Sequence, residues 1–171
     1  FESCVCAILG DSIGTRGANR RQIGQFVEKF GRPCAFAAHG LTHLFPRPLE
    51  FPIAELSSIG IRGDRAVAIR ALSRSVKQKR LIFEASRSLE ESLARLLAIP
   101  GIDRTTAEYV ALRVFGEPDA FPVKPSALRG FLSQIVGKLP EGDLLQTSDR
   151  WRPWRAYAAM YLTSSCDYTQ K

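Results

Sequence analysis

The chain has 171 residues, 45% of them hydrophobic and 24% charged. This is ordinary globular composition, which argues against disorder and suits a single domain with its own core. At this length folding buries roughly 70% of the unfolded surface, so neither a disulfide nor a metal staple is required.

The predicted elements are helical almost throughout. Val5, Ile8 and Leu9 fall at helical spacing in a short opening helix that Gly10 can end. A second helix, about 18–30, places Ile23, Phe26, Val27 and Phe30 on one face, with Gly31 at the left-handed C′ position. From Cys34 to Phe51 the chain reads as short turns broken by prolines, and Ile53 to Ile59 as a short helix. The next helix, about 63–79, turns Ile69, Leu72 and Val76 inward and Arg70, Arg74 and Lys77 outward. Ser88 starts another, with Glu90 and Glu91 in its first turn and Leu89, Leu93, Leu96 and Leu97 on its buried face. That helix stops at Pro100-Gly101, and helix resumes from Thr106 to Phe115 until Gly116. Two more are expected, Ala127 to Val136 and Pro153 to Leu162, with Pro153 in the first turn of the last. No strand-like alternation of useful length appears, so the fold class is all-α.

The balance of 24 Lys and Arg over 17 Asp and Glu leaves +7. Such a surplus favours a polyanion, nucleic acid first and an anionic membrane surface second, against a plain solubility charge. No apolar run approaches the roughly 18 residues of a membrane span. Phe1-Glu2 opens the chain without the basic stretch and apolar run of a secretory leader, and the missing initiating Met leaves room for an upstream domain, while the cysteines read as reduced cytoplasmic thiols. Cys4, Cys6, Cys34 and Cys166 have no zinc-finger spacing. Cys34 with His39 and His43 is a weak metal candidate, because Gly40 and Pro46 disfavour the helix that would pair the two histidines. Reduced thiols and no metal or cofactor are expected.

The most informative stretch is about 93–113. It reads as a helix, a turn Ile99-Pro100-Gly101-Ile102, and a second helix containing Thr106-Ala107-Glu108-Tyr109. A glycine-bearing turn between two helices exposes backbone N–H groups where they can hold a DNA phosphate without reading sequence. Pro100, Gly101, Ile102, Asp103, Arg104 and Thr106 are the candidate DNA-contacting residues.

The whole string Leu96-Leu97-Ala98-Ile99-Pro100-Gly101-Ile102 … Thr106-Ala107-Glu108-Tyr109 resembles the helix-hairpin-helix (HhH-GPD) DNA glycosylases, in particular the 3-methyladenine DNA glycosylase II branch. Ala7-Ile8-Leu9-Gly10, Phe30-Gly31-Arg32-Pro33, Gly116-Glu117-Pro118-Asp119-Ala120-Phe121-Pro122 and Trp151-Arg152-Pro153-Trp154-Arg155-Ala156-Tyr157-Ala158 extend the likeness over nearly the whole chain. The resemblance implies one domain over 1–171 with two helical lobes and a cleft between them. It also implies a monomer in the bacterial cytosol that binds double-stranded DNA by its backbone and excises alkylated bases. Such an enzyme flips the base into a pocket, fills the gap with a wedge side chain and stabilises the cationic sugar with an Asp carboxylate.

The functional positions implied by the resemblance are altered. Its catalytic Asp, four or five residues before Arg129, falls on Pro125 or Lys124, neither of them acidic. The second glycine of the hairpin is Asp103, which can cap the following helix but sets a carboxylate where a phosphate would bind. Two like charges about 4 Å apart cost a few kcal/mol at an effective dielectric of about 20. Thr105 stands where a pocket Trp, or the Lys of a lyase, is implied. Thr163 stands for a second Trp, and Asp11-Ser12 for the wedge. Excision is therefore expected to be impaired or lost, and DNA contacts weakened.

Two other readings compete. An active glycosylase with a relocated carboxylate would draw on Asp119, Glu117, Asp11 or Asp143, with Asp119 nearest the altered loop and otherwise a solvated turn residue. A non-catalytic DNA-binding or regulatory module would use Arg62, Arg65, Arg70, Arg74, Lys77, Lys79 and Arg80, or Arg16, Arg20 and Arg21. Failing both, the chain is a protein-interaction remnant. Trp151, Trp154, Tyr157 and Tyr161 at spacings of three and four read as core packing, with Arg152 and Arg155 outside.

Overall fold

A computed structural model describes residues 1–10, 19–34, 40–83, 88–122 and 147–167. The chain is mainly helical: α1 (Glu2–Ile8), α2 (Arg20–Phe30), α3 (Ile53–Ser58), α4 (Gly63–Lys77), α5 (Leu89–Leu97), α6 (Arg104–Val110) and α7 (Arg155–Asp167). Strands β1 (Arg32–Pro33) and β2 (His43–Leu44) form a two-residue antiparallel ladder in register Arg32↔Leu44 and Pro33↔His43. The ladder lies within the stretch expected to be turns and leaves the all-α class unchanged. The expected helix 127–136 lies outside the described residues.

Helices too short to be stable alone depend on burying one face. Cys4, Val5 and Leu9 of the α1 region, Phe26, Leu56, Ile69, Leu72, Leu96 and Val110 meet in one continuous core. Phe1 stacks on Phe51 at 6.5 Å between ring centroids, and Phe26 touches Phe30, Phe45 and Phe51 at 5.2–5.8 Å. This aromatic knot ties α1 and α2 to the irregular segment before α3. Helix α6 packs against α1 and α5, and α4 against α1 and α3.

Several boundaries differ from expectation for identifiable reasons. Gly31 is extended (φ −75°, ψ 168°) rather than left-handed. It is needed for space: a Cβ there would overlap the carbonyl oxygens of Val27 and Leu44. Helix α4 ends at Lys77, and Lys79 adopts φ 57° in the reversing turn. Leu97 is exposed, not buried, leaving Leu89, Leu93 and Leu96 on the inner face of α5. The helix after the hairpin starts at Arg104 and widens into a π-helical turn, Ala111–Phe115, closed by left-handed Gly116. Pro153 lies in the turn before α7, not inside it.

Candidate functional site

The hairpin is built as the sequence suggests. Ser88 caps α5 by accepting from Glu91 N–H at 3.2 Å, and Ala98 ends the helix. Ile99 and Ile102 turn into the core, leaving Pro100 and Gly101 at the surface. Gly101 has φ 85°, and a Cβ there would stand 2.6 Å from Asp64 O and 2.9 Å from Ala68 Cβ. The turn is thus pressed against the N-terminal half of α4, and only glycine meets both conditions.

Asp103 occupies the N-cap of α6, its Oδ1 accepting from Thr106 N–H at 2.7 Å. The N–H groups of Arg104 and Thr105, in the first turn, have no intrahelical acceptor. The candidate phosphate site therefore carries its own carboxylate, which already takes one of the amides. Arg104 is exposed, and its Nε donates to Glu108 Oε1 at 2.6 Å. Glu108 is buried, and its Oε2 accepts from Phe121 N–H at 2.8 Å. One side chain thereby joins the hairpin helix to the strand of chain that leads into Lys124 and Pro125. Its i,i+4 spacing from Arg104 was a legible signal for the ion pair, but the bond to Phe121 was not.

Asp119 is neither solvated nor available. Its Oδ1 accepts from Arg155 Nε at 2.7 Å, and its Oδ2 from Arg155 Nη2 at 2.9 Å and Arg152 Nη1 at 2.6 Å. Its side chain is only 16% exposed. This corrects two expectations: Asp119 is a clamp within its turn rather than a solvated residue, and Arg155 is buried rather than outward. Ala156 N–H adds a bond to Pro118 O at 2.9 Å. Arg152 also reaches Asp149 at 3.2 Å. That hydrogen bond raises the Arg152 pKa, opposed by desolvation and assisted by the charges of Asp119, Asp149 and Glu90. Glu117 is engaged too, accepting from Ser92 Oγ at 3.0 Å.

The aromatic residues of the last helix are a further correction. Trp154, Tyr157 and Tyr161 are 58%, 61% and 70% exposed, while Trp151 sits half-buried on Phe121 at 5.9 Å. Helix α7 packs through Arg155, Ala156 and Ala159 instead. Small residues allow the helix to approach closely, and the rings are left on the outer side.

Asp11, Ser12, Arg16, His39, Lys124, Pro125 and Asp143 lie outside the described residues, as does the side chain of Thr163. Thr105 is half-buried in the first turn of α6. His43 lies in β2, its Nδ1 2.9 Å from Thr42 Oγ1. Among the described residues no group of three His, Cys, Asp or Glu is placed to hold a metal. No helix among them is long and apolar enough to cross a membrane.

No protein-family profile matches the chain. It is 32% identical over 167 residues to the probable bifunctional transcriptional activator/DNA repair enzyme AlkA of Mycobacterium tuberculosis, covering 98% of this chain and 34% of that protein. It is 28% identical over 165 residues to the DNA-3-methyladenine glycosylase 2 of Escherichia coli, covering 95% of this chain and 56% of that one. The chain thus spans between a third and just over half the length of these relatives. The solved 3-methyladenine DNA-glycosylase from Archaeoglobus fulgidus superposes with a TM-score of 0.75 at 20% identity, over 98% of this chain and 58% of that one. With the hairpin, its capped second helix and the clamped 116–122 stretch, this similarity places the chain in the helix-hairpin-helix (HhH-GPD) DNA glycosylase superfamily, in its 3-methyladenine DNA glycosylase II branch.

Proposed function

We propose that this chain is a DNA-binding protein of base-excision-repair ancestry, acting as a monomer on duplex DNA, whose excision of alkylated bases is impaired or lost. The observation that carries the reading is the state of Asp119. Leaving-group departure from a nucleoside makes the sugar electron-deficient, and an enzyme of this kind meets that charge with a fixed anion. The implied position for that anion is Pro125 or Lys124, and proline has no charge while lysine repels a cation. The nearest substitute, Asp119, is already neutralised by two guanidinium groups and cannot turn to a substrate without abandoning both. Glu117 is bound to Ser92, and Glu108 to Arg104 and Phe121.

Binding to DNA is supported by the hairpin. Pro100, Gly101 and Ile102 form its turn, and the amides of Arg104 and Thr105 stand beside the exposed Arg104 side chain. Asp103 weakens this grip without closing it.

Excision from methylated duplex, measured beside the Escherichia coli relative, is expected to stay at the level without protein. Fluorescence anisotropy is expected to show binding that weakens with salt, by about 0.9 in log–log slope for each phosphate neutralised. Turnover at the relative's rate overturns the loss of excision, and absence of binding at low salt overturns the DNA-binding reading.

A further inference from the structure

Three of the four cations of α4, Arg70, Arg74 and Lys77, are gathered on one side of the helix, while Arg65 turns the other way to Gln22. At 3.6 residues per turn, Arg70, Arg74 and Lys77 fall within an arc of about 60°, and the hairpin-facing residues Asp64 and Ala68 centre roughly 130° away. A duplex seated on the hairpin turn therefore does not lie along this row. The row instead lines a cavity of about 400 Å³ whose other wall is Leu49 and Glu50. Ser73 Oγ donates to Leu49 O at 2.5 Å and fastens that wall to the helix.

The charge here is unbalanced. Glu50 stands 3.9 Å from Lys77 Nζ, but its side chain is 93% exposed, so the pairing is worth little. Among the described residues, neither Arg70 nor Arg74 has a carboxylate within ion-pair distance. The helix dipole accounts for Arg74 and Lys77 in the last turn, but its effect fades beyond that turn. Arg70, about 10 Å before the helix end, gains nothing from it and repels Arg74 at i,i+4. An anion in the cavity relieves that repulsion, and two guanidinium forks suit phosphate oxygens.

We propose that this cavity is a second anion site, separate from the hairpin, that takes a ligand with at least two phosphate groups. The row is about 10 Å long, more than one phosphate needs. The volume falls in the range of small-ligand sites, and Leu49 offers an apolar surface to the remainder of the ligand. A free nucleoside polyphosphate and a single nucleic-acid strand share this chemistry.

The test uses the full chain, with tripolyphosphate, ATP and a short single-stranded DNA as probes in calorimetry. The wild type is expected to bind tripolyphosphate, and Arg70→Gln/Arg74→Gln to bind it at least about tenfold more weakly, as expected for two lost charge-assisted contacts. Lys29→Gln, which removes an exposed cation of α2 outside both sites, is expected to leave this affinity unchanged. Thermal melting checks that the double variant folds, and the single Arg74→Gln variant, at an exposed position, gives a smaller loss in the same direction. Tighter binding of ATP identifies the source as a free nucleotide. Tighter binding of the strand, with a salt slope reduced by about 1.4 in the double variant, identifies it as nucleic acid. Equal affinity of wild type and double variant, or no binding of any probe by the wild type at millimolar concentration, overturns the proposal.

Discussion

Asp119 and Asp103 are two carboxylates whose surroundings give them opposite consequences. Asp119 holds two arginines, one of them buried, so deleting it leaves the Arg155 guanidinium only the longer 3.6 Å contact with the exposed Asp149. Asp119→Ala is expected to cost about 3 kcal/mol, because a buried charge that loses both of its short carboxylate contacts is the expensive product of breaking such a pair. Urea denaturation measures this, and a change below about 0.5 kcal/mol, the range of an ordinary surface substitution, would contradict the clamp. Asp103 is exposed and contributes a cap, which asparagine also provides. Asp103→Asn is expected to keep the melting temperature and tighten duplex binding, because it removes a negative charge from beside the turn while retaining the acceptor. Asp103→Ala loses the cap as well, about 1 kcal/mol. Comparing the two variants by melting and by anisotropy separates the structural part of Asp103 from the electrostatic part.

Among the elements, α2 carries two glycines that answer opposite demands. Gly24 faces open space within the helix, where a Cβ would meet nothing within 4 Å. Gly31 ends the helix where the backbone passes between Val27 O and Leu44 O. Gly24→Ala is expected to stabilise by about 0.5–1 kcal/mol, through helix propensity and a less flexible unfolded chain. Gly31→Ala is expected to destabilise by more than 2 kcal/mol, because neither carbonyl can retreat without disturbing the last turn of α2 or the β1–β2 ladder. Denaturation midpoints of the pair decide it, and equal effects would remove the close approach from the account. Helix α7 shows why aromatic spacing misleads. Trp154, Tyr157 and Tyr161 have the same period as a buried stripe, but Ala156 and Ala159 fit closer to the body and take the inner side.

At the scale of the whole molecule, the stretch 116–122 is bound to three helices at once. Glu117 reaches Ser92 of α5, Asp119 reaches Arg155 of α7, and Phe121 N–H reaches Glu108 of α6. Among the described residues, Glu108, Glu117 and Asp119, carboxylates that catalysis could have drawn upon, are used to hold the fold together. Global stability also has an alkaline limit set in the core. Burial pushes the Cys4 thiol up from 9.0 to about 11, offset in part by the chain's N-terminal charge and reinforced by Cys6. Above pH 9 the unfolded chain releases this proton while the folded chain keeps it, so the unfolded state binds fewer protons and stability falls with rising pH. The Cys4 contribution is intact below pH 9 and is lost towards pH 11, about 2–3 kcal/mol in all. Denaturation at pH 8 and pH 10.5 is expected to show a smaller difference in Cys4→Ala than in the wild type, and an equal difference would refute the assignment.

Local pattern alone established the helical class, the Ser88 and Asp103 caps, the Ile99-Pro100-Gly101-Ile102 turn and the absence of an acid at Lys124 and Pro125. Those features depend on spacing within one or two turns, or on the identity of a single residue, and a linear reading contains both. Only the folded arrangement decided that Arg155 points inward to Asp119, that Glu108 serves Phe121, that Gly31 is a matter of space and that the α7 rings face out. Each joins residues distant in the chain or depends on which of two apolar faces packs more closely. That choice is made by the shape of the neighbouring surface, which no single segment encodes.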